Sequence, residues 1–505
     1  MKRKQKLLLN SSFSLVYQLI ALVCGLVLPR FFLTTYGSEV NGLVSSITQF
    51  LGFISLCEMG VGAVIQTSLY APLASGDCIG ISKIAISSER FFKRIAYILL
   101  GYTLVLMLVY PYIVIDEFEY FSTFALIAII SISTFAQYYF GMTYRLILSA
   151  DQMGFIHLVV HSVSLILNTV VCIIFMSTGM SIHFVKLATA LIFLMQPLVV
   201  SIIAKRRYKI DRSIVLTEEP IKQKWNGLTQ HIAAVVLGNT PMVVLTLLST
   251  LSNVSIYSVY YFAVNGVKQI IISLTNGVQA MFGNMLANDE KDNLKKSFDL
   301  YEWAMHIIVI IVFSVTALVI IPFVKIYVSG VDDVNYIVPV FAVLITVSQA
   351  LICLQLPYKT IVLAAGHYKQ TQWSSIVEAA ITIVASVVFV LIFGLSGVAI
   401  GTILAVLYRL VYLVMYLKKN ILYRSLFTFL RHVFVDVISI ATIIITYCLM
   451  PDWFALSGMS WLSWILLGIK AFVLCALECL LINLILNFKK ICEVYNKFFR
   501  RVKKS

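Results

Sequence analysis

Charge is scarce in this sequence: only 12% of its 505 residues are Asp, Glu, Lys or Arg, while 60% are hydrophobic. A soluble domain carries about twice that share of charge, so the scarcity excludes a water-soluble chain and defines an integral membrane protein. The nine cysteines form no C-x-x-C pair and lie almost entirely in apolar stretches, which signals neither a disulfide framework nor a zinc site. Cys475 and Cys479 share a helix face and read as small packing residues. A nucleotide-binding motif, a metal-spaced histidine cluster and a nucleophile elbow are all missing. The longest outer connection, Met450 to Ser460, is eleven residues without His or Arg, so chemistry outside the membrane has no sizeable loop to occupy. These absences point away from an enzyme, and no cofactor is expected.

What the chain has instead is apolar length. A spanning helix uses about 20 residues, and fourteen such segments begin near residues 8, 39, 94, 122, 154, 182, 228, 255, 303, 334, 371, 396, 431 and 461. Apolar runs without alternation exclude a membrane β-barrel. The expected fold class is an all-α polytopic membrane protein of about fourteen transmembrane helices. The basic start, MKRKQKLLLN, precedes no short apolar core with a small-residue cleavage site, so it reads as the inner flank of an uncleaved first span.

The net charge of +15 has a location. Thirty-two of the 38 lysines and arginines fall in every second connection, among them Lys83, Lys205–Lys224, Lys291, Lys418 and the stretch after Lys489. The opposite connections, such as Ile115–Tyr120 and Gly330–Asn335, are acidic or neutral. The positive-inside rule then puts both termini in the cytoplasm of a multi-pass cell-membrane protein. Anionic membrane lipids account for the basic balance, and nucleic acid is not needed as a partner.

The chain also repeats itself. At an offset of 213, Ile65–Asp77 lies on Val278–Glu290, matching Gln66 with Gln279, Leu73 with Leu286 and Ala74 with Ala287. At 214, Tyr144–Ala150 lies on Tyr358–Ala364. Six spans separate the equivalents, an even number, so the halves run in the same direction as a parallel repeat. The expected organisation is an N-lobe over 1–204 (spans one to six), a cytoplasmic linker over 205–227, a C-lobe over 228–418 (spans seven to twelve), and spans thirteen and fourteen with a basic tail over 419–505.

Polar residues inside spans are the candidate functional groups. On span eight, Tyr261, Asn265, Lys268, Asn276 and Gln279 draw a stripe down one helix face, with Gln269 alongside. Span one adds Asn10, Ser14 and Gln18, and span two a stripe from Asn41 to Gln66. Such groups either line a hydrated cavity or join helices to one another. Lys268 is the most demanding, because a charge that deep costs about 2.5–3.5 kcal/mol and calls for water or a partner. Glu58, Glu378, Arg409, Asp436, Lys470 and Glu478 are the other charges within spans. Glu378 and Arg409 stand on adjacent spans, where an ion pair and ligand contact are both open. Asp436 reads as interfacial, and Lys470 with Glu478 as structural.

The stretches Leu28–Ser46, Glu58–Asp77, Phe282–Asp289, Ala364–Lys369 and Gly394–Ala405 resemble the polysaccharide flippases of the multidrug, oligosaccharidyl-lipid and polysaccharide exporter superfamily. The resemblance runs the length of the chain and includes the count of fourteen spans. It implies alternating access that turns an undecaprenyl-diphosphate-linked oligosaccharide repeat unit from the cytoplasmic to the outer leaflet, in company with polysaccharide assembly proteins. It gives Lys268 and Arg409 a role toward phosphate, and Asn265, Gln269, Asn276 and Gln18 a role toward sugar hydroxyls. Glu58 and Glu378 become candidates for coupling a cation, Na+ or H+, or for supplying counter-charge. A cation-coupled multidrug exporter of the same superfamily, which favours an acidic cavity, and a membrane polysaccharide polymerase or ligase are the alternatives.

Overall fold

The structure is a computed structural model, and it describes residues 3–58, 61–208, 210–214, 228–275, 277–488 and 490. The chain divides into two compact units, Met1–Val235 and Val236–Ser505. The first contains α1 (Arg3–Gly52), α2 (Val61–Ser75), α3 (Cys78–Ile113), α4 (Tyr120–Ala136), α5 (Met142–Ala150), α6 (Phe155–Ser177) and α7 (Ile182–Arg207). The unit boundary falls within α8 (Leu228–Leu248). The second unit continues with α9 (Leu251–Leu274), α10 (Val278–Ala287), α11 (Lys291–Tyr327), α12 (Pro339–Ala364), α13 (Tyr368–Phe393), α14 (Leu395–Asn420), α15 (Leu426–Leu449) and α16 (Trp461–Leu486).

This is the expected all-helical, multi-pass architecture. Eleven described stretches are long and apolar enough to cross a membrane. One of them, Ser12–Glu58, holds two of the expected spans, divided at Gly37, whose φ of 79° and ψ of 179° break the helix at a position only glycine tolerates. The other two are α8, whose apolar described part is the shorter Ile232–Leu248, and α9, which has the length but carries Asn265, Lys268 and Gln269. With these three the fourteen segments are accounted for.

Spans two and eight are each broken near their C-terminal ends. In the first unit a 3₁₀ turn, Phe53–Glu58, precedes α2, which ends at Ser75. In the second, Gly277, with φ 89°, starts α10, which ends at Ala287. The repeat-related stretches Ile65–Asp77 and Val278–Glu290 thus cover these short second pieces and the turns after them. Asp77 then starts α3 by accepting from the backbone N–H of Ile79 (3.1 Å) and Gly80 (2.9 Å).

Packing inside the second unit depends on small residues. Gly397 and Gly401 lie four apart on α14 and let it approach α13 closely. A Cβ at Gly401 would lie 2.6 Å from the backbone N of Ser386, and one at Gly397 would lie 2.2 Å from the Phe389 carbonyl. In a membrane, where apolar burial does not drive helices together, such close approach is a main source of attraction.

The repeat also appears in bonding. In the first unit Glu89 accepts from the Tyr144 hydroxyl, and Arg212 Nη2 reaches Glu89 Oε1 at 3.2 Å and the Tyr144 oxygen at 3.1 Å. In the second, Glu302 accepts from Tyr358 at 2.5 Å and takes both Nη groups of Arg424, one at 2.5 Å. The glutamates are 213 apart, the tyrosines 214 and the arginines 212. Each unit therefore ties the arginine that follows its sixth span to a glutamate on its third and a tyrosine on its fourth.

Candidate functional site

The described residues form two adjoining cavities of mixed polar and apolar lining in the first unit. The first, about 340 Å³, is lined by Tyr17 from α1, Gln137, Arg145 from α5, His157 and His161 from α6, and Gln196 from α7. The second, about 390 Å³, is lined by Thr48, Ser55, Tyr138, Lys186 and Thr189. Ser133, Thr134 and Gln137 border both.

Local sequence explains why the helices part here. Between α4 and α5 the chain makes a π-helical turn, Gln137–Gly141, whose wider coil turns the side-chain faces on either side relative to one another. Gly141 lies against Pro197 of α7, where a Cβ would come within 2.6 Å of the proline's Cβ. The turn thus packs tightly on one side while Gln137 borders both cavities.

The first cavity is basic. No carboxylate lines it among the described residues. Arg145 is exposed and has no hydrogen bond or ion pair among the described residues, so its guanidinium is available to an anion. His157 and His161, one turn apart, stack at 5.7 Å. Gln196 bridges them, its Oε1 3.0 Å from His161 Nδ1 and its Nε2 3.3 Å from His157 Nε2. Tyr17 stands 5.1 Å from the His161 ring. In the second cavity the Lys186 ammonium lies 4.5 Å from the Phe32 ring centre. The Tyr138 hydroxyl that borders it is committed to Glu58 Oε1 at 2.5 Å.

The residues singled out from sequence fall in both units. In the first, Gln18 is exposed on α1 and Glu58 is half-buried at the end of its 3₁₀ turn. In the second, Lys268 on α9 is half-buried; its Nζ donates to Gln349 Oε1 of α12 at 2.9 Å and lies 5.5 Å from the Tyr261 ring centre. Asn265 is half-buried and Gln269 exposed on the same helix. Asn276 lies outside the described residues. Arg409 and Glu378 are brought together: Arg409 Nε is 3.8 Å from Glu378 Oε2, both side chains are buried, and Arg409 Nη1 also donates to the Thr371 carbonyl (3.0 Å) and to Ser374 Oγ. Glu378 in turn accepts from Gln355 at 3.2 Å. Asp436 is buried within the second unit, its Oδ2 2.5 Å from His306 Nδ1.

Sequence reasoning missed Arg145, His157, His161 and Lys186. Arg145 is one of the 32 basic residues in alternate connections. The i, i+4 spacing of His157 and His161 on span five is the sequence signal that marks the pair.

The chain shares its fold with membrane transporters. It aligns with the lipid II flippase MurJ in an inward closed conformation at a TM-score of 0.67 and 15% identity, over 93% of this chain and 98% of that one. An inward-facing multidrug resistance MATE family transporter of the MOP superfamily aligns at 0.55 and 12% identity, over 80% and 96%. An outward-facing one aligns at 0.52 and 14%, over 82% and 94%. No protein-family model matches the chain, and no curated protein matches it significantly. The fold is accordingly the one seen in that flippase and in those MATE transporters, in a multi-pass membrane protein.

Proposed function

We propose that the protein is a flippase that turns an undecaprenyl-diphosphate-linked oligosaccharide repeat unit from the cytoplasmic to the outer leaflet of the bacterial cell membrane, for surface polysaccharide biosynthesis. The observation that carries this reading is the alignment with a lipid II flippase across nearly the whole of both chains, at a higher TM-score than the MATE transporters give. The basic cavity of the first unit supports it, because among the described residues a cationic drug meets no lining carboxylate there, whereas a diphosphate finds Arg145. Lys268 remains the proposed phosphate group of the second unit. Both termini are taken as cytoplasmic. Assembly enzymes on either face would supply and consume the repeat unit; this protein carries out translocation alone.

The test is deletion of the gene. Loss of surface glycan with build-up of lipid-linked repeat units on the inner leaflet is expected, and re-expression should reverse both. Normal surface glycan together with new sensitivity to cationic drugs would refute the flippase reading in favour of multidrug export.

A further inference from the structure

We propose that the first-unit cavity is a proton-coupled site for a phosphate-class anion, in which Arg145 supplies a fixed positive charge and the His157–Gln196–His161 bridge takes up one proton as the anion enters. The inference rests on the transport reading for the source of its ligand and on the cavity's geometry for the rest.

The argument starts from what one amide can satisfy. A glutamine has an accepting oxygen at one end and a donating NH₂ at the other. With Oε1 on His161 Nδ1 and Nε2 on His157 Nε2, His161 must donate and His157 must accept. Turning the amide over exchanges the roles and leaves the rule unchanged: one ring always accepts. A ring that accepts through that nitrogen is neutral, so the bridged pair holds no added proton or one, and never two.

The surroundings decide which. Facing the pair are Tyr17 from α1, Gln137 from the π-helical turn, Arg145 from α5, and Phe193 with Gln196 from α7. Arg145 is the only permanent charge in that set, and no described carboxylate lines the cavity to offset it. Its field opposes a second positive charge on the imidazoles. An anion between them removes the repulsion and adds attraction. Anion entry and proton uptake therefore favour each other, and by reciprocity departure of either releases the other. No bond is made or broken besides N–H: the proton comes from solvent onto the donating ring and returns there. In a transporter, this links each anion passing the cavity to one proton.

The ligand used in the test must not itself titrate. Dimethyl diphosphate, a soluble diester, and a farnesyl diphosphosugar, its membrane-borne equivalent, hold fixed charge between pH 6 and 8. Binding of each to the full-length protein in lipid nanodiscs is measured by calorimetry in buffers of different ionisation enthalpy, which counts protons. The expected result is uptake approaching one proton per ligand, with affinity falling by up to about tenfold per pH unit as pH rises. His157→Gln/His161→Gln should bind with pH-independent affinity and no uptake, and Arg145→Gln should lose most binding at every pH. Tighter binding of the farnesyl compound assigns the site to a lipid-linked head group, and tighter binding of the dimethyl compound to a soluble diphosphate. Zero proton uptake by the wild-type protein, binding of neither diester, or a pH slope that survives in the double variant would overturn the proposal. The wild-type proton count decides the matter even if the double variant does not fold. Glycan export after gene deletion is read separately, so failure of the flippase reading and failure of proton coupling are distinguishable.

Discussion

Replacing Lys268 separates a transport role from a structural one, because the structure identifies its partner. Had that partner been a carboxylate, removal of the lysine would strand a buried charge at a cost of about 3–5 kcal/mol. The partner is instead the Gln349 amide oxygen at 2.9 Å. Lys268→Met keeps most of the side chain's apolar stem. It loses one charge-assisted hydrogen bond and leaves a buried amide oxygen unsatisfied, together about 1–3 kcal/mol. It also loses contact with the Tyr261 ring 5.5 Å away, worth about 0.5–1 kcal/mol. Removing a charge from membrane depth returns about 2.5–3.5 kcal/mol. These terms nearly cancel, so Lys268→Met should accumulate in the membrane at close to wild-type level.

Export should behave differently from abundance. A loss of about 2–3 kcal/mol of phosphate interaction corresponds to roughly thirty- to 160-fold slower flipping. Lys268→Arg should retain part of the activity, since charge survives while geometry changes, and Lys268→Glu should be worst. The assay is surface glycan per unit of membrane-inserted protein for the three variants, with Gln349→Leu as a control that removes the partner and keeps the charge. Normal export by Lys268→Glu, or losses that follow abundance in every variant, would refute the reasoning.

Two further predictions concern the second unit. Arg424→Leu should destabilise it by about 3–5 kcal/mol, because Glu302 is fully buried and loses both guanidinium bonds; thermal unfolding in detergent should show Glu302→Gln/Arg424→Leu recovering much of the loss, and a double variant no better than the single would contradict this. Gly401→Leu should prevent α13 and α14 from closing, since even a Cβ overlaps the Ser386 backbone, and membrane-inserted, monodisperse protein should fall several-fold; normal yield on size-exclusion chromatography would contradict it.

The architecture was readable because each of its signals is local or strictly periodic. Apolar length marked the helices, and the offsets of 213 and 214 that related Gln66 to Gln279 and Tyr144 to Tyr358 are the spacings at which the two Tyr–Glu pairs recur. Glu378 and Arg409 were legible as partners because they stand on consecutive helices joined by a short turn. The partner of Lys268 was not, since Gln349 lies 81 residues away and a neutral amide leaves no mark on charge patterning. Arg145 was hidden for another reason. Counting basic residues by connection treats every arginine near a span end as a topological marker, whereas the π-helical turn and the short α5 bring this one to a cavity wall. Where a helix is irregular, the face on which a residue stands ceases to follow from its number.

The two Tyr–Glu–Arg ties show how the same sequence element acquires different energetics from its surroundings. In the first unit the Arg212 side chain is 60% exposed and Glu89 is 18% exposed, with Lys93 an additional neighbour at 3.8 Å. In the second, Arg424 is 6% and Glu302 0% exposed, and the difference comes from the helices that follow span twelve. From α15, His432 approaches Glu302 Oε2 at 3.8 Å, while Asp436 takes His306 of α11. Lys490, just after α16, reaches His432 at 3.3 Å, and Trp303 of α11 donates to Asn483 of α16 at 3.1 Å. Spans thirteen and fourteen therefore cover one tie with groups that are themselves polar and mutually bonded. Covering a carboxylate with apolar helices alone would have stranded charge. An exposed ion pair contributes about 0–1 kcal/mol, whereas a buried one is costly to break because its survivor has no solvent to turn to. The first tie can accordingly open at little cost, and the second holds its unit together.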